Sequence, residues 1–170
     1  MHFVGLVITE ERPTEEALSK ALVQFGPDGE GKWDWWTLGG RYTGNLRPFE
    51  LENTMTGGPN LPNSELMLMK IMGLKLPGRT GPGVDALRHK NLAGVYNDLL
   101  PHAVVFDGQW HECEVISVES LARGLGLDLN IHAKELKAER AGMRRWVTRF
   151  DALMSEVPAE SWISVIDYHN

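Results

Sequence analysis

Hydrophobic and polar positions change period several times along the chain, and those changes predict its elements. His2-Phe3-Val4-Gly5-Leu6-Val7-Ile8-Thr9 is short, apolar and rich in β-branched residues, the pattern of a buried strand. From Pro13 the period becomes helical: Ala17, Leu18, Ala21, Leu22 and Phe25 recur on one face, and Gly26-Pro27 stops the run. Thr14 is the candidate N-cap, and Glu15 and Glu16 sit where the helix dipole favours acids. Asp28 to Lys32 reads as a Gly-rich turn into Trp33-Asp34-Trp35-Trp36-Thr37-Leu38, a strand that runs into a Gly39-Gly40 turn. Strand alternation would put Trp33 and Trp35 on one face and Trp36 on the other.

From Thr43 to Pro101 the pattern is mixed. Thr56-Gly57-Gly58-Pro59-Asn60 and Pro77-Gly78-Arg79-Thr80-Gly81-Pro82-Gly83 are loop punctuation. Ser64 to Met72 predicts a short helix, and Val84 to Leu100 a longer one with Val84, Leu87, Leu92, Val95, Tyr96 and Leu99 as an approximate apolar face. Ala103-Val104-Val105-Phe106 and Gln109-Trp110-His111-Glu112-Cys113 flank Asp107-Gly108, a hairpin with a type I′ turn. His132 to Val157 predicts a long amphipathic helix that Pro158 ends, and Trp162 to Tyr168 alternates as a last strand.

That order matches one α+β domain over residues 1–170: a ferredoxin-like, split βαβ antiparallel sheet of four or five strands with two helices on one face. Residues 43–101, approximately, form a helical and loop insertion outside it. In such a sheet the ends of the third and fourth strands share one edge, which draws His111 and Glu112 towards Asp167 and His169. Arg41 follows an antiparallel strand and falls at the opposite edge unless the chain bends at Gly39-Gly40.

At 170 residues, 42% apolar and 24% charged, the chain is long enough for a real core. A net charge of −6 argues against a coat for long nucleic acid, which needs a basic face, but leaves room for a small anion held locally by arginine. Met1 leads straight into an apolar run without a basic n-region, and no apolar stretch reaches the roughly 20 residues that span a bilayer. The expectation is a cytoplasmic protein with no membrane partner, open to self-association. Cys113 is the only cysteine and has Glu112 and Glu114 beside it, so a thiolate nucleophile is not expected.

Two groups of residues carry candidate chemistry. Trp33, Trp35, Trp36 and Trp110 offer rings on which a base stacks, and Gly39-Gly40-Arg41 offers amide donors and a guanidinium suited to phosphate. His111, Glu112, Asp167 and His169 offer titratable pairs; on a strand Asp167 and His169 point to one face, as an acid–base dyad requires. Simpler readings stand beside these: core tryptophans, a bulge whose arginine pairs with a surface acid, and exposed histidines. The same His, Glu and Asp residues could instead be metal ligands, but their spacing is far less specific than HExxH or paired CxxC, no Walker A or GxGxxG pattern occurs, and neither metal nor cofactor is expected. His2, His89, His102 and His132 fall at element ends or on polar faces and receive no role.

Three segments together carry a likeness: Asp34-Trp35-Trp36 through Gly39-Gly40-Arg41-Tyr42, Asp107-Gly108-Gln109-Trp110-His111-Glu112, and Val165-Ile166-Asp167-Tyr168-His169. They resemble small proteins of bacteriophages and actinobacteria with a DWW-x-x-GGRW segment, a DGxWHE hairpin and a closing VDxH; Tyr42 stands where those have tryptophan. The resemblance covers about a quarter of the chain and implies a viral or prophage setting, hence a host-cell cytoplasm, without implying a mechanism.

The expectation for function is an accessory protein that binds a small nucleotide, such as a host immune signal, by way of Arg41, Gly39, Gly40 and the tryptophans. Turnover stays open: His111 and His169 acting as acid and base would make it a phosphodiesterase, and the same residues without proton transfer a sponge. The alternative is a non-enzymatic counter-defence protein that binds and blocks a host protein.

Overall fold

The first and last strands of the sequence pair antiparallel over their whole lengths, from His2 opposite His169 to Thr9 opposite Trp162. The computed structural model describes residues 2–48, 84–95, 100–115 and 133–170. In chain order its strands are β1 (His2–Thr9), β2 (Trp35–Leu38), β3 (Leu46–Pro48), β4 (Ala86–Arg88), β5 (Leu92–Val95), β6 (Ala103–Phe106), β7 (Gln109–Glu112) and β8 (Trp162–His169). The helices are α1 (Glu15–Leu22) and α2 (Ala133–Glu156). The chain divides into two compact units, Met1–His111 with Val157–Asn170, and Glu112–Glu156.

The protein is α+β with a mostly antiparallel sheet. Its order is β2-β8-β1-β6-β7, with β4 pairing β8 further along, and β3 and β5 form a separate two-stranded ladder. Both β1 and β2 are antiparallel to β8 and flank it. One pair departs from the antiparallel expectation: β1 and β6 run parallel, Gly5 opposite Ala103 to Val7 opposite Val105. The crossover that a parallel pair requires includes α1.

The cap of α1 is the expected one, with the Thr14 hydroxyl accepting from the Ala17 N–H at 3.1 Å. Leu18 and Leu22 then turn inward and join Val7, Phe25, Ala103, Val105, Ile166 and Tyr168 in a buried cluster on one face of the sheet. Full burial of one such aliphatic side chain is worth roughly 1.5–3 kcal/mol. The β6–β7 hairpin turns on Asp107 and Gly108 at φ of 49° and 66°, the two positive values a type I′ turn needs. The helix α2 ends at Glu156, one residue before the expected Val157. Among the described residues no helix is long and apolar enough to cross a membrane.

Two expectations need correction. Val84 to Val95 is not helical: Val84 bridges Leu46, Ala86–Arg88 pairs β8, and His89–Asn91 is a short 3-10 turn before β5. Ala86 and Leu87 are both fully buried, so this strand is apolar on both faces and lacks the alternation that separates strand from helix. Part of the 43–101 segment therefore belongs to the main sheet rather than outside it. The second correction concerns Trp33, which precedes β2 and does not follow its alternation; it packs on the α1 side together with Trp36. The helix expected over Ser64–Met72 lies outside the described residues.

Candidate functional site

The register places His2, His169 and Trp35 in one row across β1, β8 and β2, because His169 is the partner of both the others. Side chains at paired positions share a face, and this face is opposite the α1 core. Asp167, two residues before His169, shares it.

Each histidine is held by a carboxylate. His2 Nδ1 lies 2.9 Å from Asp167 Oδ1, and His169 Nδ1 lies 3.0 Å from Asp34 Oδ1. Ionised carboxylates only accept, so in each pair Nδ1 carries the hydrogen and Nε2 bears the lone pair of the neutral ring. The two rings stand 5.4 Å apart, and the His2 ring meets Trp35 edge to face, also at 5.4 Å. His2, Asp34, Trp35 and His169 line an open concavity of about 380 Å³. Trp35 is 41% exposed, a large ring left at the surface beside two titratable groups.

Asp167 is fully buried, yet both its oxygens are occupied: Oδ1 by His2, and Oδ2 by the Arg41 backbone N–H at 2.9 Å. That second bond exists because the chain bends at Gly39 and Gly40, whose φ values are 71° and 52°, and returns as a 3-10 turn over Gly40–Tyr42. A β-carbon on Gly40 would sit 2.4 Å from Asp167 Cβ, so only glycine lets the turn come this close. Arg41 is thus brought back to the Asp167 end of the sheet. Tyr42 closes the turn by donating from its hydroxyl to the His2 carbonyl at 3.3 Å. Burial, then the charge of Asp167, push its phenol up to about 12 against the opposing pull of Arg41.

A second buried carboxylate, Asp85, holds the same turn from its other side. It accepts from the Thr43 hydroxyl at 2.8 Å and from the Gly44 N–H at 2.5 Å. The amide donors of the Gly39–Gly44 turn therefore include two directed inward at the protein's own carboxylates, where a phosphate cradle was expected.

The expected site residues are only partly gathered. Asp167, His169, Trp35 and the Gly39-Gly40-Arg41 turn come together. Trp33 gives its indole N–H to the Leu22 carbonyl at 3.2 Å, Trp36 packs on the core, and Trp110 packs against Phe25 and Tyr168 at 5.5 and 5.2 Å. All three are on the α1 side, away from His169. Alternation from Trp110 puts His111 on the His169 face, and β7 runs in the same direction as β8, as expected. Yet β1 and β6 lie between those strands, so His111 is displaced laterally from His169 by three strand spacings, roughly 14 Å. Glu112 lines a different cleft, with Glu114, Arg145, Trp146 and Arg149.

His2, Asp34, Asp85 and Tyr42 were not singled out by sequence reasoning. For His2 a signal was there to use: two apolar strands at the two ends of the sequence, each with a histidine near its outer end, bring those histidines together if they pair antiparallel in register. Asp85 gave none, since it sits in a segment that reads as helix. Burial pushes the Cys113 thiol above its ordinary value, which agrees with an unreactive cysteine. Among the described residues no group of three or more His, Cys, Asp or Glu side chains is arranged to hold a metal ion. No protein-family model, no curated protein and no solved structure matches the chain.

Proposed function

We propose that this protein binds a small nucleotide at the His2–His169–Trp35 concavity and acts there on a phosphodiester by acid–base catalysis. The observation that carries the reading is the pair of Asp–His units with rings 5.4 Å apart beside an exposed indole. A neutral imidazole takes the proton of a water or ribose hydroxyl as its oxygen attacks phosphorus. The neighbouring imidazolium gives its proton to the oxygen that leaves as the old P–O bond breaks. The two histidines end with their protonation states exchanged, and each carboxylate stabilises the imidazolium that its own partner becomes.

Trp35 supplies the stacking surface for a base. Asp34 and Asp167 make the surroundings negative, which suits the single charge of a diester better than the nearly double charge of a terminal phosphate. The likeness to phage proteins supports a counter-defence setting in which the ligand is a host nucleotide signal. This reading retains the expected ligand class and places His2, in place of His111, as the partner of His169.

The test is incubation with cyclic di- and trinucleotides and ADP-ribose derivatives, followed by chromatography before and after heat denaturation. Altered ligand supports the enzyme. Intact ligand released by heat means sequestration without turnover. No depletion removes both and favours a protein that blocks a host protein through its surface.

A further inference from the structure

We infer that Asp85 is a positioning residue for His2, acting at a distance through the Gly39–Gly44 turn. The chain of contacts is continuous. The Asp85 carboxylate receives the Thr43 hydroxyl and the Gly44 N–H at one end of the turn, and at the other end it packs so close to Gly39 that a β-carbon there would lie 2.8 Å from its Cγ. Between those ends the Arg41 N–H reaches Asp167 Oδ2 at 2.9 Å. Its donation leaves Oδ1 as the oxygen that meets His2 Nδ1.

The main chain ties the same elements together. The Asp85 carbonyl accepts from the Val165 N–H at 2.7 Å, and the Gly39 N–H donates to the Val165 carbonyl at 2.8 Å. Asp85 is thereby fixed to β8, the strand that carries Asp167. A fully buried carboxylate is costly unless its oxygens are satisfied, so Asp167 constrains the turn and Asp85 constrains it again from the opposite side. With the Arg41 amide withdrawn, Asp167 is free to rotate towards a single donor, and the His2 ring turns with it. His169 follows less, because its own carboxylate is Asp34 and it meets this chain through the ring contact with His2 at 5.4 Å.

The catalytic consequence rests on the acid–base reading above, but the positional effect does not, so the experiment reads position directly. In ¹⁵N-labelled protein, Asp85→Asn and Thr43→Val are compared with wild type for exchange of the Arg41 amide proton and for the ring resonances of His2 and His169. Asp85→Asn turns one acceptor into a donor facing the Thr43 hydroxyl or the Gly44 N–H. Thr43→Val removes one hydroxyl at nearly constant shape, and Thr43→Ser keeps that hydroxyl. Loss of a hydrogen bond to a charged acceptor should speed Arg41 exchange about tenfold or more. The expected result is faster Arg41 exchange and displaced His2 resonances in Asp85→Asn and Thr43→Val, recovery in Thr43→Ser, and a smaller displacement of His169. Should Asp85→Asn fail to fold, the Thr43 pair decides alone. Unchanged Arg41 and His2 signals in folded variants, or equal movement of His2 and His169, would overturn the inference, whether or not any nucleotide is turned over.

Discussion

The His2 and His169 rings stand 5.4 Å apart, each bound through Nδ1 to a different carboxylate, one fully buried and the other exposed. Two imidazoles in unlike surroundings are suited to opposite roles in one proton exchange. His2 is anchored more firmly, since Asp167 is itself fixed by the Arg41 amide.

If both act on substrate, His2→Ala and His169→Ala should each lower turnover of a responsive phosphodiester by about 10²–10⁴-fold, the usual contribution of a positioned acid or base. Retention of the ligand should change much less. His111→Ala should affect neither, because three strand spacings separate it from His169. Rates and retention measured on the three variants check this, and loss of turnover in His111→Ala would move the site to β7.

Trp35 and Trp36 are adjacent in sequence and face opposite sides of the sheet. Trp35→Ala should weaken nucleotide retention by roughly 1–3 kcal/mol, the value of one stacked base, with little change in melting temperature. Trp36 packs against the buried cluster beside α1, so Trp36→Ala should lower thermal stability by about 3 kcal/mol or somewhat less, as it is only partly buried. Calorimetric titration and thermal denaturation of the two variants give both quantities. Equal loss of stability would mean that Trp35 is structural as well.

Much of the scaffold was legible because its elements obey short-range rules. The Thr14 cap, the Asp107-Gly108 turn and the long α2 each depend on residues within a few positions of one another. The site was half legible. Asp167 and His169 share a face by alternation alone, whereas their partners Asp34 and His2 depend on the long-range pairing of β8 with β2 and with β1, which no local pattern encodes. The Trp33 assignment failed because β2 begins two residues later than the apolar run. Asp85 was hidden because β4 is buried on both faces and so has no strand-like alternation.

Gly40 and Gly31 separate two costs of a β-carbon. Both have positive φ, 52° and 65°, but Gly31 has nothing within 4 Å of its ideal β-carbon while Gly40 meets Asp167 Cβ at 2.4 Å. Gly31→Ala should cost about 1–2 kcal/mol from the left-handed conformation alone. Gly40→Ala carries that cost together with displacement of Asp167, and should exceed it by at least about 1 kcal/mol. Urea denaturation of both variants measures the difference. Equal costs would mean that the turn lies further from Asp167 than described.

Tyr42 makes stability sensitive to alkali. Its phenol is raised from the ordinary 10.0 to about 12, first by burial and then by Asp167. A group with a raised folded value contributes stability that is fully present below its unfolded value and lost as pH climbs through the folded one, so the window is pH 10 to about 12. After allowance for solvent screening, the contribution is roughly 2 kcal/mol. Tyr42→Phe cannot ionise and should not suffer this loss, although it forgoes the hydroxyl bond to the His2 carbonyl, worth about 1 kcal/mol at any pH below the window. Wild type should therefore be the more stable protein at about pH 9, with the difference shrinking and then reversing as pH approaches about 12. Other groups that titrate in alkali are common to both proteins and cancel in the comparison. Urea denaturation at unit pH steps from about 9 to about 12 reads the two curves. Parallel curves across the window would show that the phenol is not held protonated by its surroundings, and with that the tie between the 3-10 turn and β1 would lose its electrostatic basis.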